Sequence, residues 1–135
     1  MAATANQRNS FRVSRYSDFG ATTHKLALAT ADPSAAENIS EVTQPTGSGY
    51  TDGGYVIPFS TPAWDAVNSR AEVNASDDVV FTGPLIGSPQ WFVLYRVSDG
   101  AIVADFDEGA VFPLATDQDS KTFLASTVDG LIRNS

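Results

Sequence analysis

The chain has no cysteine and one histidine in 135 residues. The missing thiols exclude disulfide staples, thiolate zinc sites and cysteine nucleophiles. His24 is the only imidazole for a Ser-His-Asp arrangement, and no G-x-S-x-G elbow accompanies it. It ends a polar stretch and reads as a surface or packing residue. No run approaches the ~18 apolar residues of a membrane span, and the first residues lack the apolar core of a signal peptide. A soluble, cytosol-made chain with no membrane partner is expected. Heptads are missing too, so no coiled-coil stalk is foreseen. Helical spacing is confined to residues 34–44, where Ala35, Ala36, Ile39 and Val42 allow a turn or two.

Charge is present but lopsided. The net charge is −8, from 8 basic and 16 acidic residues. Residues 1–25 hold Arg8, Arg12, Arg15 and Lys25 against Asp18, a balance of +3; the rest carries 4 basic and 15 acidic groups, a balance of −11. An acidic body repels phosphates, so nucleic acid is not an expected partner. A basic stretch beside an acidic body suits either a solvated tail or a segment that binds an acidic neighbour.

The remaining pattern is that of short strands. One domain is expected from the length, large enough to bury about two thirds of its unfolded surface. Residues 1–25 read as an extended arm, with weak alternation around Phe11, Val13 and Tyr16. Strand-like runs follow at 26–31, 55–59, 71–73, 79–81, 91–97, 101–106, 110–114, 121–125 and 128–132. Asp32-Pro33 ends the first of them, because proline cannot donate to a ladder. Residues 45–54 hold four glycines and a proline, and must form a loop. The sharpest local signal is Ser98-Asp99-Gly100 between two apolar runs, which predicts an antiparallel hairpin. Alternation puts Trp91, Val93, Tyr95 and Val97 on one face, and Phe92, Leu94 and Arg96 on the other. Both faces are apolar, so one is expected inside a sandwich and the other against a second copy. Trp91, Val93 and Tyr95 are the expected self-association residues. The spacing of strands and turns implies an all-β sandwich or barrel over residues 26–135.

Candidate chemistry is sparse. Asp105, Asp107 and Glu108 form a D-x-D-E cluster, and paired carboxylates can hold calcium or cleave glycosides. EF-hand spacing is absent, and Asp77-Asp78 and Asp117/Asp119 sit at expected turns as well. Solvated turn carboxylates are the favoured reading. Gly47, Gly49, Gly53 and Gly54 lack the lysine and helix of a phosphate loop. Asn38-Ile39-Ser40 and Asn74-Ala75-Ser76 match the glycan sequon, which means little without a secretion signal. Trp64, Trp91, Tyr50, Tyr55 and Tyr95 could stack sugars, but core packing is the commoner use. No catalytic residue, metal or cofactor is expected, and the chain reads as a non-enzyme.

Several segments together carry a resemblance. They are Thr30-Ala31-Asp32-Pro33, Glu41, Gly49-Tyr50, the asparagines Asn68 and Asn74, Val79-Val80-Phe81, the hairpin around Ser98-Asp99-Gly100, and the turn within 117–123. In this order they are similar to small virion proteins of tailed phages. The likeness runs from Leu26 onward and departs where GSGYTDGGY replaces a Gly-Tyr followed by Ala-Arg; the hairpin is also shorter. It implies a jelly-roll-like antiparallel β-sandwich in a virion, assembled as a homotrimer after synthesis in the bacterial host. The role it implies is a capsid cement or decoration protein binding the major capsid protein. The alternative is a receptor- or glycan-binding module of a head or tail fibre. The arm favours cement. Arg8, Arg12 and Arg15 would set its register on the capsid, with Phe11, Val13 and Tyr16 as apolar anchors.

Overall fold

The structure is a computed structural model that describes residues 4–7, 23–58, 63–65, 70–73, 77–125 and 132–133, with side chains for 23–58 and 77–125. It is all-β, and the strands among the described residues pair antiparallel. The strands are β1 (Thr4–Gln7), β2 (His24–Ala29), β3 (Tyr55–Val56), β4 (Ala63–Asp65), β5 (Arg70–Val73), β6 (Val79–Thr82), β7 (Trp91–Arg96), β8 (Ile102–Asp107), β9 (Ser120–Phe123) and β10 (Ile132–Arg133). A five-stranded sheet has the order β1-β8-β7-β2-β3; β10-β5-β4 and β6-β9 form smaller sheets.

The expected hairpin is β7–β8. Its loop is the four residues 97–100: Arg96 N–H donates to Ala101 O at 2.9 Å, and Gly100 N–H donates to Arg96 O at 2.8 Å. Gly100 takes φ +75°, the left-handed region that closes such loops. Asp99 adds a staple. Its carboxylate accepts from Arg96 Nε at 2.9 Å, Arg96 Nη2 at 2.6 Å and Ala101 N at 3.1 Å.

Alternation along β7 divides the core in two. Phe92 and Leu94 join Leu26, Leu28, Ala104 and Phe106 on one face, and this face meets Val79 and Phe81 of β6 and Phe123 of β9. The interior is aromatic. Phe92 lies 4.9 Å from Phe123 and 5.3 Å from Phe112, and Phe106 lies 5.1 Å from Phe123. Two antiparallel layers over one core fit a β-sandwich. A register shift next to Leu94 leaves Val103 as an extra residue: Ala104 stands opposite Leu94, but Ile102 stands opposite Tyr95. The bulge turns Ile102 onto the second face.

That second face corrects one expectation. Ala27, Ala29, Val93, Tyr95 and Ile102 are buried there together with Ala36, and Ile39, Val42 and Trp91 pack against them. The cover comes from the chain's own residues 36–42. Val93 is 0% exposed and Tyr95 6%, so neither presents a surface to a second copy. Trp91 is half-buried beside the same cluster.

The arm boundary also moves. His24 and Lys25 belong to β2, and Thr4–Gln7 is a strand of the same sheet. The expected strand at 110–114 is irregular chain, because Pro113 has no N–H to offer and Gly109 sits at φ +83°. The helical candidate at 34–44 contracts to one 3-10 turn, Ile39–Glu41. Residues 128–131 lie outside the described residues.

Candidate interaction surface

Three local devices account for the most conspicuous sequence features. The first is the turn after β2. Asp32 Oδ1 accepts from Ser34 N at 2.9 Å, and Ala36 N–H donates to Pro33 O at 3.0 Å. Asn38 then caps the 3-10 turn. Its Oδ1 accepts from Ser40 N at 3.0 Å, and Glu41 Oε1 accepts from Glu37 N and Asn38 N at 3.2 and 3.1 Å. This is a capping box on an Asn-x-x-Glu spacing, a signal present in the sequence but overlooked there. Asn38 Nδ2 also donates to Asp99 O at 2.9 Å, tying the cap to the hairpin.

The second device pins the glycine loop with tyrosines. Tyr50 Oη donates to Gln44 Oε1 at 2.5 Å and accepts from Leu28 N at 3.1 Å. Gly53 N–H shares Gln44 Oε1 at 2.9 Å. Tyr95 Oη donates to Gly53 O at 2.5 Å, and Tyr55 Oη donates to Gly49 O at 3.1 Å. Burial pushes the Tyr50 phenol up, and burial with the Asp52 charge raises Tyr95 as well. The Tyr50 and Tyr95 hydroxyls stay protonated and donate. Gly54 has φ +78°, and a Cβ there would lie 1.9 Å from Leu26 O. The Gly-Tyr loop is a folded structural plug.

The third device is the carboxylate group at the end of β8. Asp105 and Asp107 stand opposite Val93 and Trp91, on the second face. Asp105 is buried. Asp107 Oδ1 accepts from Gln90 Nε2 at 2.9 Å and Gly109 N at 2.7 Å, and these bonds, Gln90 foremost, lower its carboxyl below the usual range. Glu108 is buried and pairs with Lys121 Nζ at 2.9 Å, while that ammonium lies 5.1 Å from the Phe112 ring centroid. Among the described residues, no group of three or more His, Asp or Glu side chains is placed to hold a metal ion. Two further carboxylates fasten backbone N–H groups. Asp119 Oδ2 accepts from Thr116 N at 3.0 Å, and Asp78 Oδ1 accepts from Ala125 N at 2.7 Å. His24, the lone imidazole, is buried in β2 opposite Arg96.

The outer edge of β8 is where the chain closes its sheet. Residues 37–39 cover one part of it: Ile39 N–H donates to Gly100 O at 2.8 Å, and Ile102 N–H donates to Glu37 O at 3.0 Å. Strand β1 covers the rest, with Thr4, Ala5, Asn6 and Gln7 opposite Asp107, Phe106, Asp105 and Ala104. The cover matters because Phe106 is fully buried behind this edge. Sequence reasoning missed β1. Its TANQ has no apolar alternation, so backbone pairing alone marks it as a strand.

The expected capsid-binding residues Arg8, Phe11, Arg12, Val13, Arg15 and Tyr16 lie outside the described residues. No protein-family model matches the chain, and comparisons with curated proteins and with solved structures also return no match.

Proposed function

We propose that this chain is a structural protein of a tailed-phage virion: a cement protein that binds the major capsid protein from outside and stabilises the head. In this reading it is made in the host cytoplasm, acts without cofactor or catalysis, and assembles as a trimer on the capsid surface. The sandwich is jelly-roll-like, and residues 8–23 with their flanks form the clasp. The observation that carries the reading is the division of the chain. A body balanced at −10 is joined to a basic stretch, residues 8–23, at +2, and that stretch follows a strand on the sheet edge. A basic segment that follows an edge strand is suited to bind a neighbour's acidic surface. The likeness in order of turn and strand motifs to small phage virion proteins, read from the sequence, points to the same role.

The test replaces Arg8, Arg12 and Arg15 together by serine, which preserves chain length. Purified, undecorated heads of the encoding phage are incubated with each protein and sedimented at rising salt. The triple variant is expected to bind at least tenfold more weakly at low salt and to lose most of the salt dependence. Equal binding by both proteins would sink the clasp. Low copy number in the virion, with the protein located on a fibre, would sink the cement role.

A further inference from the structure

We infer that the two-stranded sheet β6–β9 is a self-association surface, through which three copies close a six-stranded ring, β6 of each chain paired with β9 of the next. The inference gives the trimer of the proposed reading its seam and rests on that part of the reading alone; the capsid has no part in it.

Three observations carry it. The first is a ladder open on both sides. Among the described residues, β6 and β9 pair only with each other. Gly83 N–H donates to Asp119 O at 3.0 Å, one step beyond the Thr82–Ser120 pair. Hydrogen-bonded positions alternate along an antiparallel pair, so Phe81–Lys121 and Val79–Phe123 are the bonded pairs. Val80 and Thr82 therefore aim N–H and C=O away from β9, and Ser120 and Thr122 aim theirs away from β6. Further along the outer side of β6, Gly49 N–H donates to Pro84 O at 3.0 Å, so the chain's own cover stops short of Thr82. Open edges of this kind are templates for another strand. The second observation is the outer face. Alternation puts Phe81 and Phe123 in the core, and Val80, Thr82, Ser120, Thr122 and Leu124 outside. All five are exposed, Val80 at 53% and Leu124 at 54%. None is charged, on a chain whose net charge is −8. The adjoining carboxylates Asp78 and Asp119 fasten Ala125 N and Thr116 N. A basic partner is best met by carboxylates; a copy of like charge is best met by a neutral face.

The third observation is that the two open edges complement each other. β6 and β9 run antiparallel, so β9 of a second copy laid on β6 continues the alternation. Each such addition leaves one β6 edge and one β9 edge open, and a closed ring uses up both. Geometry selects its size. Strands lie about 4.8 Å apart and tilt by about 40° in a barrel, so rings of four, six and eight strands have diameters of about 8, 12 and 16 Å. Packed sheets lie about 10 Å apart. Four strands leave no room for side chains between them, and eight leave a hole that valine and threonine do not fill. Six strands, from three copies, match the spacing. Val80, Thr82, Thr122 and Leu124 then face the axis, and the aromatic cores lie on the far side of the ring.

Light scattering of the full chain at tens of micromolar should give three times the 14.3 kDa chain mass. Two variants test the seam. Thr82→Pro removes an N–H that the β6–β9 ladder does not use, so the sheet keeps its pairing while the seam loses a bond. Val80→Asp brings three carboxylates to the axis from a position that is 53% exposed within one chain. Both should keep the far-UV circular dichroism of the parent and raise the concentration at which the trimer dissociates by about tenfold or more. Amide hydrogen exchange gives a separate readout. In the trimer the N–H groups of Val80, Thr82, Ser120 and Thr122 should be protected, and dilution to monomer should release them while Phe81 and Lys121 stay protected. A monomer at tens of micromolar overturns the inference together with the trimer of the proposed reading. A trimer whose outward amides exchange freely, or which both variants form as readily as the parent, keeps that trimer and overturns the seam. No capsid enters any arm, so neither result bears on head binding.

Discussion

Replacing Tyr50 by phenylalanine removes one oxygen and keeps the ring. The site makes that oxygen expensive. Leu28 lies in β2, and β3 pairs only with Lys25 and Leu26, so the N–H of Leu28 on that side has no strand to meet. Tyr50 Oη accepts it at 3.1 Å and donates its own hydrogen bond to Gln44 Oε1. Leu28 is 0% exposed, so water cannot replace the lost acceptor. A buried donor left unsatisfied costs about 1–3 kcal/mol, and about 2 kcal/mol is expected here. Gln44 keeps its bond from Gly53, which limits the loss. In a chain of this size 2 kcal/mol corresponds to a fall of roughly 8 °C in Tm. Tyr55→Phe is the internal control. Its hydroxyl donates to Gly49 O in a half-exposed setting, where solvent can reach the carbonyl, and its loss should cost about 0.5 kcal/mol. Urea and thermal unfolding of both variants measure the difference. Equal losses, or a Tyr50→Phe loss below about 0.5 kcal/mol, would refute the view that the Tyr50 hydroxyl closes the sheet at Leu28.

Gly54→Ala places a Cβ 1.9 Å from Leu26 O at φ +78°, so a loss of about 3 kcal/mol or more is expected, read as a lowered urea midpoint. Lys121→Met strips Glu108 of its cation; the lysine side chain is 32% exposed, so the cost is discounted to about 2 kcal/mol, and a double-mutant cycle with Glu108→Gln should recover most of it as coupling. The hairpin is acid-sensitive. The Arg96 bond, then the Ala101 N–H, lower the Asp99 carboxyl from 3.8 to about 2. Between those values the unfolded chain binds the extra proton, so stability present above pH 4 falls as the pH drops through about 2. Asp99→Asn should flatten that part of the acid profile, followed by the Ala101 amide resonance; an unchanged profile would remove Asp99 from the account.

What was legible in the sequence was local. Asp99-Gly100 between two apolar runs announced the hairpin because positive φ at the loop's end has few chemical solutions. The division of β7 into Phe92/Leu94 and Trp91/Val93/Tyr95 followed from a period of two, and it holds in the structure. The error lay in what covers the second face. Two apolar faces were read as one core and one interface, yet residues 36–42 fold back over Val93 and Tyr95. Ala36, Ile39 and Val42 recur every three residues, a spacing that reads as a helix although the segment holds a single 3-10 turn. The edge partner of β8 was invisible for a different reason. Thr4–Gln7 pairs through its backbone with a strand about a hundred residues away, and nothing in its side chains records that. The Glu108–Lys121 pair joins two segments with no shared local pattern and was hidden for the same reason.

The motifs on which the proposed likeness to phage virion proteins rests are fastenings. Asp32 holds a turn, Glu41 closes a capping box, and Tyr50 satisfies the sheet. Residues used in this way report how the chain folds and leave its partner unaddressed. The cement reading places the partner contacts elsewhere, in Arg8, Arg12 and Arg15, and a double dissociation follows. Glu41→Ala removes the acceptor of two N–H groups, so a loss of about 1 kcal/mol is expected in urea unfolding. Head binding below the unfolding range should be unchanged. The arginine-to-serine triple variant should do the reverse, weakening head binding and moving the urea midpoint by less than about 0.5 kcal/mol. Binding lost on Glu41→Ala at full folding would place the partner surface on the 3-10 turn and its neighbours, and the basic stretch would then have no part in recognition.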